Sequence, residues 1–273
     1  MILQNKNIQL NFEYLSDFDT GKNTILFLHG FTGSANDWKD VSNKLDNRFN
    51  KIALDLIGHG KSSSPSDIKF YMIDSIIEQI EQIINHLRLE NVILCGYSMG
   101  GRAALSFAIE KPNLVKGLIL ESSSAGIKDD SEREERKNND EEMAVFIEKN
   151  SIEDFVKKWL EQEIFGTLKR FSNERMRLIK EEKMKNTRTG LVNFLKGFGT
   201  GVMPYLGDKL CNLNLPVLLL SGQLDSKFTR INAEMSKLFP KANHIVIINS
   251  GHNIHLEEPE RFVKAVNRFL RSF

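Results

Sequence analysis

Cys95-Gly96-Tyr97-Ser98-Met99-Gly100-Gly101-Arg102 follows the apolar run Val92-Ile93-Leu94 and precedes a helical pattern. A strand that turns abruptly into a helix brings its backbone against neighbouring elements, so small residues are needed two positions before and two after the turn residue. Gly96 and Gly100 hold those positions around Ser98. The context is that of a nucleophile elbow, which presents a serine hydroxyl above the end of a strand. A glycine-rich turn that happens to contain a serine is the bland alternative, because G-x-S-x-G also arises by chance. The rest of the chain decides between the two.

Working outward, apolar periodicity alternates between strands and helices. Ile8 to Tyr14 alternates apolar and polar, as in a strand with one wet face, whereas Thr24 to Leu28 is continuously apolar, as in a central strand covered on both sides. Lys51 to Leu54, Gly117 to Glu121, Pro216 to Leu220 and His244 to Ile248 read as further strands. Between them, Trp38 with Val41 to Leu45, the stripe Ile76, Ile77, Ile80, Ile83, Ile84 and Leu87, the elbow helix Arg102 to Ile109, and Phe262 to Leu270 have helical spacing. The alternation predicts an α/β fold with a mostly parallel, doubly wound sheet whose reactive loops gather at the carboxyl ends of the strands. From Lys128 to about Thr200 the composition shifts to Lys, Glu, Asn and Arg with helical apolar spacing. We expect a helical cap over 127–205, inserted into a sheet core made of 1–126 and 206–273. Its charge-rich start, Asp129 to Glu142, is expected to be a solvated helix.

The 273 residues carry 37 Lys+Arg against 36 Asp+Glu, a formal net charge of +1. That balance gives no global electrostatic reason to bind nucleic acid or an anionic membrane, so recognition of a charged ligand must be local. Cys95 lies in an apolar strand and Cys211 in a loop-like region, so neither belongs to a zinc-type cluster or a dense disulfide framework. The opening Met-Ile-Leu-Gln-Asn-Lys-Asn lacks a basic-then-apolar signal pattern, and no apolar run is long enough to span a bilayer. The expectation is a cytoplasmic protein acting on a small molecule, with no metal, no cofactor, no nucleic-acid or membrane partner, and an oligomeric state the sequence leaves open.

The strand Thr24 to Leu28 runs into His29-Gly30-Phe31-Thr32-Gly33-Ser34. That loop sits where an α/β-hydrolase supplies its second oxyanion-hole amide, so the N–H groups of Phe31 and Met99 are the candidate donors. Ser98, Asp225 and His252 each follow a predicted strand end, and their order is the one this fold uses for a triad. A serine hydroxyl needs an imidazole to remove its proton, and the imidazole needs a carboxylate to hold one tautomer. His59 precedes the serine and is read as structural. Asp225 could instead only cap a helix, and His255 could compete as the base. Arg102 lies one turn beyond Ser98, near the positive end of the elbow helix, where an anionic ligand would offset its unfavourable placement. Pairing with a protein carboxylate is the alternative. Arg133 and Arg136 are weaker candidates, since Glu132 and Arg136 have the spacing of a surface pair.

The match extends across essentially the whole chain. L-H-G-F-x-G-S with Trp38, D-L-x-G-H-G at 55–60, G-Y-S-M-G-G-R at 96–102, E-S-S-S-x-G at 121–126, E-R-x-x-R at 132–136, G-x-x-D-x-K-F at 222–228 and G-H-x-x-H-x-E-x-P at 251–259 resemble the MenH-type enzymes. These are the 2-succinyl-6-hydroxy-2,4-cyclohexadiene-1-carboxylate (SHCHC) synthases of menaquinone synthesis. Ala125 stands where such relatives commonly have proline, and Lys183 or Lys185 where an arginine is expected. The resemblance implies an α/β-hydrolase fold that works as a carbon–oxygen lyase, eliminating pyruvate from a succinyl- and enolpyruvyl-substituted cyclohexene carboxylate. It further implies that Ser98, activated by His252, acts as a base while the Phe31 and Met99 amides hold an oxyanion. Arg102 and Arg133 would bind carboxylates, and Tyr97 and Trp159 would add hydrogen-bonding and packing surface. The rivals are a serine hydrolase of esters or carbon–carbon bonds in small carboxylated substrates, and a non-catalytic receptor using the same pocket.

Overall fold

A computed structural model describes residues 1–5 and 8–273. In chain order it comprises β1 (Ile2–Asn5), β2 (Ile8–Tyr14), β3 (Thr24–Leu28), α1 (Lys39–Ser42), β4 (Asn50–Leu54), α2 (Ile73–His86), β5 (Val92–Tyr97), α3 (Met99–Glu110) and β6 (Val115–Glu121). Four helices follow before the next strand: α4 (Asp130–Lys149), α5 (Ile152–Leu160), α6 (Asn173–Met184) and α7 (Arg188–Phe198). The chain finishes with β7 (Val217–Gly222), α8 (Ser226–Ser236), β8 (Ala242–Ile247), α9 (Ile254–Glu257) and α10 (Pro259–Leu270).

The strands form one eight-stranded sheet in the order β1-β2-β4-β3-β5-β6-β7-β8. β1 and β2 pair antiparallel at one edge, and every pairing from β4 to β8 is parallel. Parallel strands must be joined by crossovers, and these helices cover both faces, which is why β3, β4, β5 and β7 are buried along their whole length. Ile76, Ile80 and Ile83 of α2 and Ala104 of α3 pack on one face. Val41 of α1 and Phe262 and Val266 of α10 pack on the other.

The wet face expected for Ile8–Tyr14 is only partly wet. Asn11 is buried, because its Nδ2 donates to Asp55 Oδ2 at 2.8 Å and its backbone N–H donates to Ser62 Oγ at 2.9 Å. A polar residue in an alternating pattern thus anchors the loop after β4 instead of facing water.

β6 and β7 are neighbours in the sheet, so α4–α7 leave and return at the same place. Each of these helices begins on a side-chain cap: Asp129, Ser151, Ser172 and Thr187 accept from backbone N–H groups of the first turn. The four helices bury an apolar cluster of their own, including Ile147, Phe155, Val156, Leu191 and Leu195. The acidic and basic face of α4 is exposed over most of its first turns, as the charge run predicts. Among the described residues, no helix is long and apolar enough to cross a membrane.

Candidate active site

β5 ends at Tyr97 and α3 begins at Met99, so Ser98 alone makes the turn, at φ 49° and ψ −107°. A non-glycine residue held there costs on the order of 1–3 kcal/mol and persists only where its surroundings fix it. The surroundings do: the Ser98 N–H donates to the Glu121 carbonyl at 2.8 Å. A Cβ on Gly100 would also lie 2.1 Å from the Leu28 carbonyl oxygen, so the first turn of α3 rests directly on the end of β3.

The turn brings Ser98 Oγ to 3.0 Å from His252 Nε2, and His252 Nδ1 lies 2.7 Å from Asp225 Oδ2. With Asp225 ionised, Nδ1–H donates to the carboxylate and Nε2 is free to accept the serine proton. Asp225 also caps α8, its Oδ1 accepting the Phe228 N–H at 3.1 Å. Cap and triad member are therefore not alternatives; one carboxylate uses a separate oxygen for each. Phe228 and Phe165 flank the His252 ring, with centroids at 4.6 and 6.3 Å. His255 does not compete. Its Nδ1 is bound to Glu121 at 2.8 Å and its ring stacks on Trp38 at 4.3 Å, away from Ser98.

Met99 is the first residue of α3, so its N–H has no acceptor within the helix. It lines a cavity of about 540 Å³ together with Phe31, Tyr97, Ser98 and His252, and the cap closes the other side with Trp159, Phe165 and Leu168. His59 lies beneath, buried between Phe31 and Phe194. Burial pushes its imidazole well below the ordinary value, which keeps it neutral. Tyr97 sits 5.4 Å from the His252 ring, and burial raises its phenol well above the usual range. Trp159 packs edge-on to Phe31 at 5.0 Å, with its indole Nε1 buried and unpartnered.

Five cations line this cavity: Arg102, Arg136, Lys183, Lys227 and Arg230. Arg102 is only 8% exposed, and among the described residues no carboxylate pairs with it. Its Nη1 donates to the Phe198 carbonyl at 2.8 Å, and the guanidinium lies 5.1 Å from the Phe198 ring centroid. Burial, with Arg136 adding to it and Asp140 opposing, pushes its pKa down to about 9, still a cation at neutral pH. Arg133 is not brought to the cavity; it pairs with Asp130 at 2.8 Å in solvent. Glu132, Glu135, Arg136 and Asn139 are the α4 residues that line it, at the spacing of one helical face, and position 133 points away from that face. Arg136 is held from behind by Asp140, Nε to Oδ1 at 2.9 Å. Lys227 and Arg230, in the first turns of α8, were assigned no role from sequence; their three-residue spacing after the Asp225 cap is the signal that places them together.

Residues 23–259 match the family described as the alpha/beta hydrolase fold. A protein of Bacillus subtilis strain 168, provisionally named a 2-succinyl-6-hydroxy-2,4-cyclohexadiene-1-carboxylate synthase, is 38% identical over 258 residues, 93% of each chain. This chain belongs to the SHCHC synthase family. The structure of MenH from S. aureus superposes on it with a TM-score of 0.90 at 30% identity, covering 96% of this chain and 98% of that one. A thermophilic esterase from Thermogutta terrifontis, solved with malate bound, is 26% identical with a TM-score of 0.84, covering 97% and 94%. In this member of the SHCHC synthase family the cap lysine at the cavity is Lys183, whose Nζ donates to Thr32 Oγ1 at 2.9 Å. Burial lowers its pKa, with Asp37 opposing. Lys185 pairs with Glu182 outside the cavity.

Proposed function

We propose that this chain eliminates pyruvate from 2-succinyl-5-enolpyruvyl-6-hydroxy-3-cyclohexene-1-carboxylate, giving SHCHC in menaquinone biosynthesis. His252 takes the Ser98 proton as Ser98 removes a proton from the ring carbon next to the succinyl ketone. The electron pair of that C–H bond moves onto the ketone oxygen, which the N–H groups of Phe31 and Met99 receive. Return of the electrons forms the C2=C3 double bond, shifts the existing ring double bond from C3=C4 to C4=C5 and breaks the C5–O bond. The released enolpyruvate takes up the proton held by His252 to become pyruvate. No water is consumed and no acyl-enzyme forms. The hydrolase parts move a proton instead of attacking a carbonyl carbon.

The observation that carries this reading is the unpaired positive charge around the triad. Arg102, Lys183, Lys227 and Arg230 line the cavity, and among the described residues none of them has an ion pair. Of these, Arg102 is buried and Lys183 partly so, while Lys227 and Arg230 are exposed at the rim. A buried cation without a carboxylate partner is costly, and a substrate bearing several carboxylates supplies the counter-charge. Arg136, held by Asp140, replaces Arg133 as the α4 arginine of this reading. Trp159 offers its unpartnered indole N–H, and Tyr97 a neutral hydroxyl beside His252.

The test gives purified protein the enolpyruvyl cyclohexene precursor and follows pyruvate together with the conjugated-diene absorbance, with Ser98→Ala alongside. Release no faster than in buffer would overturn the reading. Turnover of a simple aryl ester that is lost in Ser98→Ala and indifferent to Arg102 would point to an ester hydrolase.

A further inference from the structure

The loop that carries His252 is held from a side the cavity does not reach. Glu257, the last residue of α9, has a side chain 1% exposed. Its Oε2 accepts the Gly251 N–H at 2.9 Å and its Oε1 accepts the Asn253 N–H at 3.2 Å, the two amides that flank His252. A third bond arrives from the cap. Arg170 donates from Nη2 to Glu257 Oε2 at 2.8 Å, and from Nη1 to the carbonyl of Asn249, a residue at φ 60° where the loop leaves β8.

Arg170 closes a 3-10 segment, Glu163–Arg170, between α5 and α6. The same segment meets the loop twice more. Phe165 lies edge-on to the His252 ring, and Thr167 sits so near that a Cβ on Gly251 would fall 2.2 Å from Thr167 Oγ1. Neither Arg170 nor Glu257 is among the residues lining the cavity. Burying a carboxylate in this way is costly unless a cation pairs with it. Arg170 is that cation, and its planar fork reaches two acceptors of one loop at once.

We propose that Arg170 and Glu257 are positioning residues for His252, so that the cap segment Glu163–Arg170 sets the alignment of the triad base as well as lining the cavity. The proposal rests on the reading of Ser98 and His252 as the proton-moving pair. Loss of the clamp lets the Asn249–Asn253 loop relax and lengthens the 3.0 Å contact between Nε2 and Oγ. A misplacement of about 1 Å costs about 100-fold in rate when it separates reacting groups.

The experiment compares Arg170→Ala, Arg170→Lys and Glu257→Gln with the wild type, and uses Lys169→Ala, an exposed neighbour, as the control. Steady-state pyruvate release gives kcat and KM. The rate at which a fluorophosphonate labels Ser98 reports its activation by His252 without the natural substrate, and the downfield NMR signal of the His252 Nδ1 proton reports its bond to Asp225. Arg170→Ala is expected to lower kcat and labelling together by about 10- to 100-fold, to leave KM within threefold, and to weaken the proton signal. Arg170→Lys, which can reach one acceptor but not both, should recover part of the loss. If Arg170→Ala does not fold, Glu257→Gln carries the same comparison with the cap arginine intact. Wild-type kcat and labelling in Arg170→Ala, or a loss confined to KM, would overturn the proposal. A wild type that labels but releases no pyruvate would sink the proposed reaction while leaving the clamp to be judged by labelling; one that does not label at all would remove the activated pair on which the clamp depends.

Discussion

Replacing Arg102 by methionine removes a buried charge while keeping most of the volume, and two opposing effects on the empty protein can be weighed. Lowering of its pKa from 12.5 to about 9 by burial corresponds to about 5 kcal/mol of unfavourable transfer, taking 1.36 kcal/mol per unit. Against this stand the hydrogen bond to the Phe198 carbonyl, worth about 1.5–3 kcal/mol for a charged donor, and the contact with the Phe198 ring, worth about 2 kcal/mol when desolvated. The terms nearly cancel. Thermal unfolding of the ligand-free variant should therefore stay within about 5 °C of wild type. Substrate binding should not escape so lightly, because one charge-assisted bond to a carboxylate contributes about 1.5–3 kcal/mol, equivalent to about 10- to 150-fold in KM. Pyruvate release against substrate concentration gives KM. Differential scanning with a succinyl-bearing dicarboxylate should show stabilisation of the wild type that the variant lacks. A variant with unchanged KM, or one that unfolds far earlier without ligand, would refute the claim that Arg102 is kept for an anion.

Three further outcomes are expected. Asp225→Asn should keep the cap of α8 and lose activity by about 10⁴-fold through the wrong imidazole tautomer, whereas Asp225→Ala should lose about 1 kcal/mol of stability as well; urea unfolding beside activity separates them. His59, whose folded pKa is depressed by burial, binds its proton more weakly than in the unfolded chain, so stability should fall as pH drops below about 6.5. His59→Gln should flatten that slope in denaturation followed between pH 5 and 7, and an unchanged slope would assign the acid sensitivity elsewhere. Gly100→Ala drives a methyl group onto the Leu28 carbonyl and should leave little folded protein by circular dichroism, while Ala103→Gly in the same helix should cost only about 1 kcal/mol.

The central strands and the elbow were legible because burial on both faces leaves an unbroken apolar run, and because Gly96 and Gly100 answer a steric demand that only backbone proximity creates. β1 was not, since its four residues carry no alternation long enough to read. At the site, Ser98, Asp225 and His252 could be found from strand ends and order, which a parallel sheet converts into proximity. Arg133 and Arg136 could not be told apart for want of a phase: one helix carries both, and only packing of α4 against α7 decides which lines the cavity. Lys227, Arg230, Arg170 and Glu257 depend on contacts between segments far apart in sequence. Nothing in local periodicity encodes the distance between them.

The neighbouring of β6 and β7, described above as the place where the cap leaves and returns, also bears on how the chain reaches its fold. The pair Glu121 and Leu220 joins across the whole insertion, so the sheet cannot extend past β6 until a long loop has closed. Pairings of such sequence separation slow folding steeply. The cap has its own buried apolar cluster, and collapse of that cluster shortens the loop that must be closed before β7 can pair with β6. Variants that weaken that cluster, such as Phe155→Ala, should therefore slow refolding as well as lower stability.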